Sequence, residues 1–365
     1  MHLYFHVPFC ARRCSYCDFA IAVRRETPSR EYVEAVLQEW ASWLGHPVWA
    51  DAPDVRTIYF GGGTPSRLAP AGVAVILDQV RADRPVYPGA EITLEANPDD
   101  VTPTAAGAWQ AAGVTRLSIG AQSFSAEALA WMHRTHDPEA IARAVAVARA
   151  AGLAEVSLDL IFALPGDVRR SWEEDLERAV ALAPDHVSLY GLTTEPRTPL
   201  ARWTAGGRVL PADDARYAAE YLLAHERLEA AGFEHYEVSN AARPGRRARH
   251  NSAYWRRAPY IGLGPSAHSG FGNRRRWNLR EWAAYERALR AGAGWQAGEE
   301  WLDPDAVRLE EAYLGLRTLE GLPRNSVPES RASEWVSQGW ARVEPDRVVL
   351  TVEGWLRLDA LVAAL

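Results

Sequence analysis

Lysine is absent from this chain, and every one of its 40 basic residues is an arginine. That excludes a lysine Schiff base and the lysine of a phosphate-binding P-loop. Cysteine is nearly as scarce, with only Cys10, Cys14 and Cys17 present. An odd number of thiols suits a disulfide framework poorly, and no export signal accompanies them. The opening run MHLYFHVPF has no basic lead or long apolar core, and no apolar stretch reaches membrane length. These absences predict a cytoplasmic protein in which thiols stay reduced. A net charge of −7 argues against a general polyanion binder.

The three cysteines that are present stand together in VPFCARRCSYCDF. Three thiolates are one short of the set that closes a cubane iron–sulfur cluster, which would leave one iron open to an outside ligand. A structural zinc site would need four ligands, with His6 or Asp18 completing it. The rest of the chain, 365 residues with 48% hydrophobic content, has room for one large domain and a small one. Short β-branched runs at 2–7, 55–60, 91–95, 115–120, 155–161 and 186–190 alternate with helical stretches, predicting a partial βα barrel with parallel strands. Thr102 before Pro103, Gly152 and Gly232 stand where helices should begin or stop.

In such a barrel the chemistry gathers at the C-terminal ends of the strands. Those ends carry the cysteine loop, Gly61-Gly62-Gly63-Thr64-Pro65-Ser66, Glu95-Ala96-Asn97-Pro98, Gly120-Ala121-Gln122-Ser123-Phe124, and Asp159 ahead of Ala163-Leu164-Pro165-Gly166. Glycines let a backbone approach a ligand closely, although such loops also serve simply as tight turns. Polar groups in otherwise apolar strands need partners, either a ligand or one another.

A second region has its own composition. Arg243 to Arg280 holds ten arginines and no Asp or Glu, together with Tyr254, Trp255, Tyr260, Phe271, Trp277, His250 and His268. A haem, with two carboxylates, a flat apolar face and an iron that favours imidazole, would suit that set. A single-stranded nucleic acid suits it too, and so does a basic face packed on acidic neighbours. Beyond about residue 300 the pattern is helix, helix, hairpin and a final helix, a winged-helix-like order. Seven arginines against eleven acids from Trp301 onward argue against DNA as its partner. Ala291-Gly292-Ala293-Gly294 is a candidate hinge.

The spacing C-x-x-x-C-x-x-C resembles the signature of the radical S-adenosylmethionine (SAM) enzymes. Seven blocks in order are similar to one branch of that family, which holds the oxygen-independent coproporphyrinogen III oxidases and the related haem chaperones. They are Y-x-H-x-P-F-C from Tyr4, the cysteine triplet, GGGTP at 61–65, E-x-N-P at 95–98, GAQSF at 120–124, D-L-I at 159–161 with L-P-G at 164–166, and H-N-x-x-Y-W at 250–255.

The resemblance implies a partial (β/α)6 radical SAM barrel over 1–235 and a basic H-N-x-x-Y-W linker over 236–295 carrying the haem candidate. A C-terminal winged-helix-like domain would occupy 296–365. Cys10, Cys14 and Cys17 would hold a [4Fe–4S] cluster whose open iron takes the amino and carboxylate groups of SAM. Gly61, Gly62, Gly63 and Thr64 would receive the methionine amino group, and Glu95 and Arg134 the amino-acid part. Gln122 and Asp159 would bind the ribose, Phe19 and Ala163 would lie against the adenine, and Tyr4 would line a second SAM site. His250, Asn251, Tyr254 and Trp255 would bind haem. The oxidases carry another cysteine where this chain has Phe19, and a leading segment before the first strand. Both differences favour the chaperones, with delivery of haem to respiratory proteins, over oxidative decarboxylation of coproporphyrinogen III or methyl transfer. An electron donor, peripheral membrane contact and a homodimer belong to the same expectation.

Overall fold

The computed structural model describes residues 1–50 and 52–365. Six strands follow one another from the N-terminus: β1 (His2–Val7), β2 (Val55–Gly62), β3 (Val86–Ala96), β4 (Arg116–Gln122), β5 (Glu155–Phe162) and β6 (His186–Gly191). They pair in chain order and all in parallel. Each coincides with a predicted run. The connections between them hold helices, among them Ser29–Trp43, Pro70–Asp83, Pro103–Ala112, Pro138–Ala150 and Trp172–Ala181.

The strands read as nearly continuous apolar runs because a parallel sheet is covered by these crossover helices. On β1, Leu3 and Phe5 are completely buried, and the Phe5 ring stacks on Phe60 of β2 at 4.9 Å. Tyr4 and His6 point the other way and line an interior cavity. Local signals end the helices where the sequence places them. The Thr102 side chain accepts from Ala105 N at 3.2 Å with Pro103 in the first turn. Gly152 and Gly232, at φ 82° and 83°, turn the chain after Pro138–Ala150 and Asp214–Ala230.

The sheet continues past the six strands on both sides. At one edge, β7 (Glu234–Glu237) and β8 (Asn240–Ala242) join β6 in antiparallel fashion. At the other, β9 (Tyr260–Leu263) pairs in parallel with β1 and is followed by antiparallel β10 (His268–Phe271), β11 (Arg274–Asn278) and β12 (Gln296–Trp301). The whole is one 12-stranded sheet. Residues 236–295 are therefore built largely into the sheet that carries the barrel. The Ala291–Gly294 stretch is the turn between helix Trp282–Arg290 and β12.

A buried carboxylate fastens this segment to the first helix. Glu39 accepts from Gly264 N at 2.8 Å, from Asn278 Nδ2 at 2.7 Å and from the Tyr285 hydroxyl. Complete burial pushes its pKa up. The C-terminal residues form helix Pro304–Leu316, helix Glu329–Ser337 and a three-stranded sheet of β13 (Leu322–Pro323), β14 (Ala341–Val343) and β15 (Arg347–Leu350), with β15 in the middle. Two short helices, Val352–Trp355 and Leu358–Ala363, follow. Among the described residues no helix is long and apolar enough to cross a membrane.

Candidate functional site

The cysteine loop leaves β1 at Pro8 and is tied at its base. Phe9–Cys10 pairs in parallel with Ala22–Val23. Ala22 N donates to the Pro8 carbonyl at 2.7 Å and Arg24 N to the Cys10 carbonyl at 2.9 Å. His6 Nε2 bonds the Ala20 carbonyl at 2.9 Å, and Ser15 N reaches the Met132 carbonyl at 3.2 Å. The three cysteines consequently line one cavity of about 630 Å³ at the C-terminal ends of the barrel strands. Burial pushes the Cys10 thiol up and the Cys17 thiol up to about 11, and a bound cation would draw both toward the thiolate.

The glycine loop after β2 packs against this one with no room for side chains. Gly62 has φ 115°, and a Cβ there would meet the His6 ring at 2.7 Å. A Cβ on Gly63 would stand 2.6 Å from the Pro8 carbonyl oxygen and 3.0 Å from Cys10 Sγ. The Thr64 hydroxyl donates to Cys10 Sγ at 3.4 Å. Opposite, Glu95 at the end of β3 accepts from Tyr59 OH at 2.8 Å and from Gly62 N at 3.0 Å. Burial raises its pKa to about 7.

Arg134 spans the floor of the cavity. It donates to Asn97 Oδ1 at 2.7 Å, to the Gly120 carbonyl at 3.0 Å and to Cys14 Sγ at 3.6 Å. Its Nε is buried without a partner. Gln122 lines the same space in a left-handed conformation, φ 67°. Asp159 of β5 also lines it, accepting from Ser118 Oγ at 3.0 Å, and burial raises its pKa.

Some expected residues stand elsewhere. Phe19 is on the rim and 60% exposed. Ala163 is buried off the wall, where Ile161 and Leu192 are the lining residues. Gly61 is also off the lining, held between Tyr59, Tyr4 and Glu95. Tyr4 faces a different cavity of about 420 Å³. Tyr16, His133, Tyr190 and Glu195 line the cluster-side cavity and were not singled out in the sequence. Tyr190 carried a signal, an aromatic at the C-terminal end of a predicted barrel strand.

The basic segment departs from its sequence reading. His250 is the second residue of helix Arg249–Trp255 and is 1% exposed. Its Nδ1 is 2.6 Å from Thr57 Oγ1 and its Nε2 is 2.9 Å from the Tyr254 hydroxyl. Both ring nitrogens are thus engaged inside the protein, and burial lowers the pKa to about 3. As an iron ligand His250 would first have to surrender one of these bonds. The Glu91 carboxylate caps the helix, accepting from Arg249 N and His250 N at 2.9 Å each. Asn251 follows on the same turn, half-buried. Tyr254 lines the 420 Å³ cavity with Tyr4, Tyr260, His268 and arginines 257, 274 and 275. Trp255 lines another of about 810 Å³ against the C-terminal unit, with Arg317 stacked 3.8 Å from its ring centre.

Most of the arginines in this stretch are ion-paired with acids from other elements. Arg246 meets Glu155 at 3.1 Å, Arg247 meets Glu234 at 2.5 Å and Arg257 meets Glu310 at 2.8 Å. Arg249, Arg256, Arg274 and Arg275 have Glu91, Glu320, Glu299 and Glu310 as partners. Arg276 lies flat over the Trp43 ring at 3.7 Å. The excess of positive charge in the sequence is largely neutralised in the fold.

Residues 4–179 match the Radical SAM superfamily. A protein of Mycobacterium tuberculosis named "Heme chaperone HemW" is 39% identical over the whole of this chain and 94% of its own length. The chain belongs to the HemW family of radical SAM proteins. An Escherichia coli member with the same name is 41% identical over 73% of this chain and 69% of its own length. Among solved structures, the coproporphyrinogen III oxidase HemN of Escherichia coli superposes with a TM-score of 0.82, covering 99% of this chain and 88% of that one at 21% identity. That likeness establishes a shared fold.

Membership in the family brings a [4Fe–4S] cluster and SAM, and the cavity accommodates both. The three thiols that line it would supply the donor set, and among the described residues no three His, Cys, Asp or Glu side chains converge as ligands on a single ion. The unpartnered Arg134 Nε and the glycine cradle at Gly62 and Gly63 leave a donor and a side-chain-free approach beside them.

Proposed function

We propose that this chain binds haem and delivers it to haem-requiring respiratory proteins in the cytoplasm or at the membrane surface, using the cluster and SAM to govern the exchange. The observation that carries this reading is full-length similarity to proteins named as haem chaperones, joined to Phe19 at the position where the oxidases have a further cysteine.

In this reading Cys10, Cys14 and Cys17 would hold the cluster, which would supply an open iron for SAM and, once reduced, an electron. Glu95, its carboxylate already oriented by Tyr59 and Gly62 N, receives the SAM ammonium, and Gly61 to Thr64 provide the close backbone approach. Arg134 offers guanidinium donors to the carboxylate. Gln122 and Asp159 accept the ribose hydroxyls, Phe19 closes from the rim, and Ile161 and Leu192 form the adenine side with Ala163 behind them. Tyr254 faces the haem from the 420 Å³ cavity, while Asn251 and Trp255 share its helix, with Trp255 turned to the separate 810 Å³ cavity. His250 holds their helix and becomes an iron ligand only if Tyr254 moves off Nε2. A reductant, an acceptor protein and self-association complete the proposal.

The test is anaerobic incubation of the reconstituted protein with SAM, a strong reductant and coproporphyrinogen III, alongside transfer of bound haem to an apo-cytochrome acceptor. Unchanged coproporphyrinogen with haem transfer is the expected result. Protoporphyrin formed together with 5′-deoxyadenosine would make this an oxidative decarboxylase instead.

A further inference from the structure

We infer that Arg170, Asp175 and Glu220, none of which lines the SAM cavity, form a buried charged brace that locks the ends of β4 and β5 together and so sets affinity for the nucleoside half of SAM. The inference rests on the assignment of the 630 Å³ cavity to SAM.

The Arg170 side chain is completely buried and lies between two acids. Its guanidinium reaches Glu220 Oε2 at 2.5 Å and Asp175 Oδ2 at 3.4 Å. Each acid in turn grips one barrel loop. Glu220 accepts from the backbone N–H of Ala163 at 2.7 Å, just past β5. Asp175 accepts from Phe124 N at 2.6 Å and Ser123 Oγ at 2.7 Å, just past β4. Arg216 Nε holds the other Glu220 oxygen at 2.8 Å.

Strain sits at one gripped residue, Ala163, and next to the other gripped pair, at Gln122. Gln122 and Ala163 are both non-glycine residues in the left-handed region, at φ 67° and 57°. Such conformations persist only where the surroundings over-determine them, and they concentrate at ligand sites. The brace supplies that determination from behind the cavity wall. Gln122, Asp159 and Ile161, which do line the cavity, sit on the strand ends that it fixes. Removing Arg170 alone would leave the buried Asp175 carboxylate without a cation and Glu220 with Arg216 only, so the three charges act as one unit. The methionine half meets a different set, Glu95, Arg134 and the glycine loop, which the brace does not touch. These three are positioning residues.

The experiment titrates SAM and, separately, methionine into anaerobically reconstituted full-length protein carrying Glu220→Gln, Arg170→Met or Arg170→Lys. The neutral triple variant Arg170→Met/Asp175→Asn/Glu220→Gln is included in case a single change prevents folding. With iron content unchanged, SAM binding is expected to weaken by roughly tenfold to a hundredfold, the usual consequence of losing an outer support of a ligand site. Methionine affinity should be retained, and Arg170→Lys should recover part of the loss. Wild-type SAM affinity in folded Arg170→Met or in the triple variant would overturn the inference, as would a parallel loss of SAM and methionine. Failure of the wild-type protein to bind SAM would instead overturn the assignment of the cavity.

Discussion

His250→Ala is expected to destabilise the protein strongly at neutral pH and much less in mild acid. Truncation strands the Tyr254 hydroxyl, whose hydrogen bond is to Nε2, while Thr57 keeps His2 Nδ1 at 2.8 Å. One unsatisfied buried hydroxyl costs about 1–3 kcal/mol. Lost packing against Tyr59, which stacks on the imidazole at 5.0 Å, adds about 2 kcal/mol by the scale of core truncations. The total near neutrality is on the order of 3–5 kcal/mol.

The pH dependence follows from burial, which lowers the folded-state pKa to about 3 from an ordinary 6.5. Because the folded value lies below the unfolded one, the contribution of this histidine is complete above 6.5 and is lost as pH falls toward 3. By about pH 5 the unfolded chain has gained a proton that the folded one refuses, worth about 2 kcal/mol at roughly 1.4 kcal/mol per unit. Urea denaturation of wild type and variant at about pH 7.5 and about pH 5 should therefore show the gap between them narrowing by about 2 kcal/mol. A gap that stays constant or widens in acid would refute a buried neutral His250, and would mean that it is exposed and free to ligate iron.

Four other outcomes are expected. Cys14→Ala should lose the cluster, read as iron falling from near four per chain after anaerobic reconstitution; full iron retention would place the cluster elsewhere. Gly63→Ala should lower both iron loading and SAM binding, because its Cβ would stand 2.6 Å from the Pro8 carbonyl oxygen and 3.0 Å from Cys10 Sγ. Gly45→Ala, with nothing within 4 Å of the new Cβ, should change neither. Glu39→Ala should leave three buried donors without an acceptor and lower thermal stability by several kcal/mol, more than Tyr285→Phe, which removes one of them.

The six-stranded barrel core was legible in the sequence because each of its strands is covered by crossover helices and so reads as an apolar run. The flanking strands were not. β11 is Arg-Arg-Arg-Trp-Asn, and charges on it are satisfied across the ladder, where Arg274 pairs with Glu299 and Arg275 with Glu300. Nothing local to that segment marks it as a strand. That the three cysteines and several strand-end residues gather at one cavity was legible for a similar reason: cysteine spacing and loop chemistry are short-range, and a barrel gathers strand ends by rule.

What the sequence determined by itself was the cofactor chemistry and the order of the core strands, since both are encoded within a few residues of each other along the chain. Whether a charged or titratable group is free was decided only by tertiary structure. The ten arginines from 243 to 280 have no acid among them in sequence, yet Glu155, Glu91 and Glu310 come to them from elements 53 to 158 residues away. His250 looked available until Thr57, 193 positions earlier, closed one side of its ring. Arg170, Asp175 and Glu220 carried no motif at all. Coulomb attraction and hydrogen bonding act across space, at separations that chain position does not record.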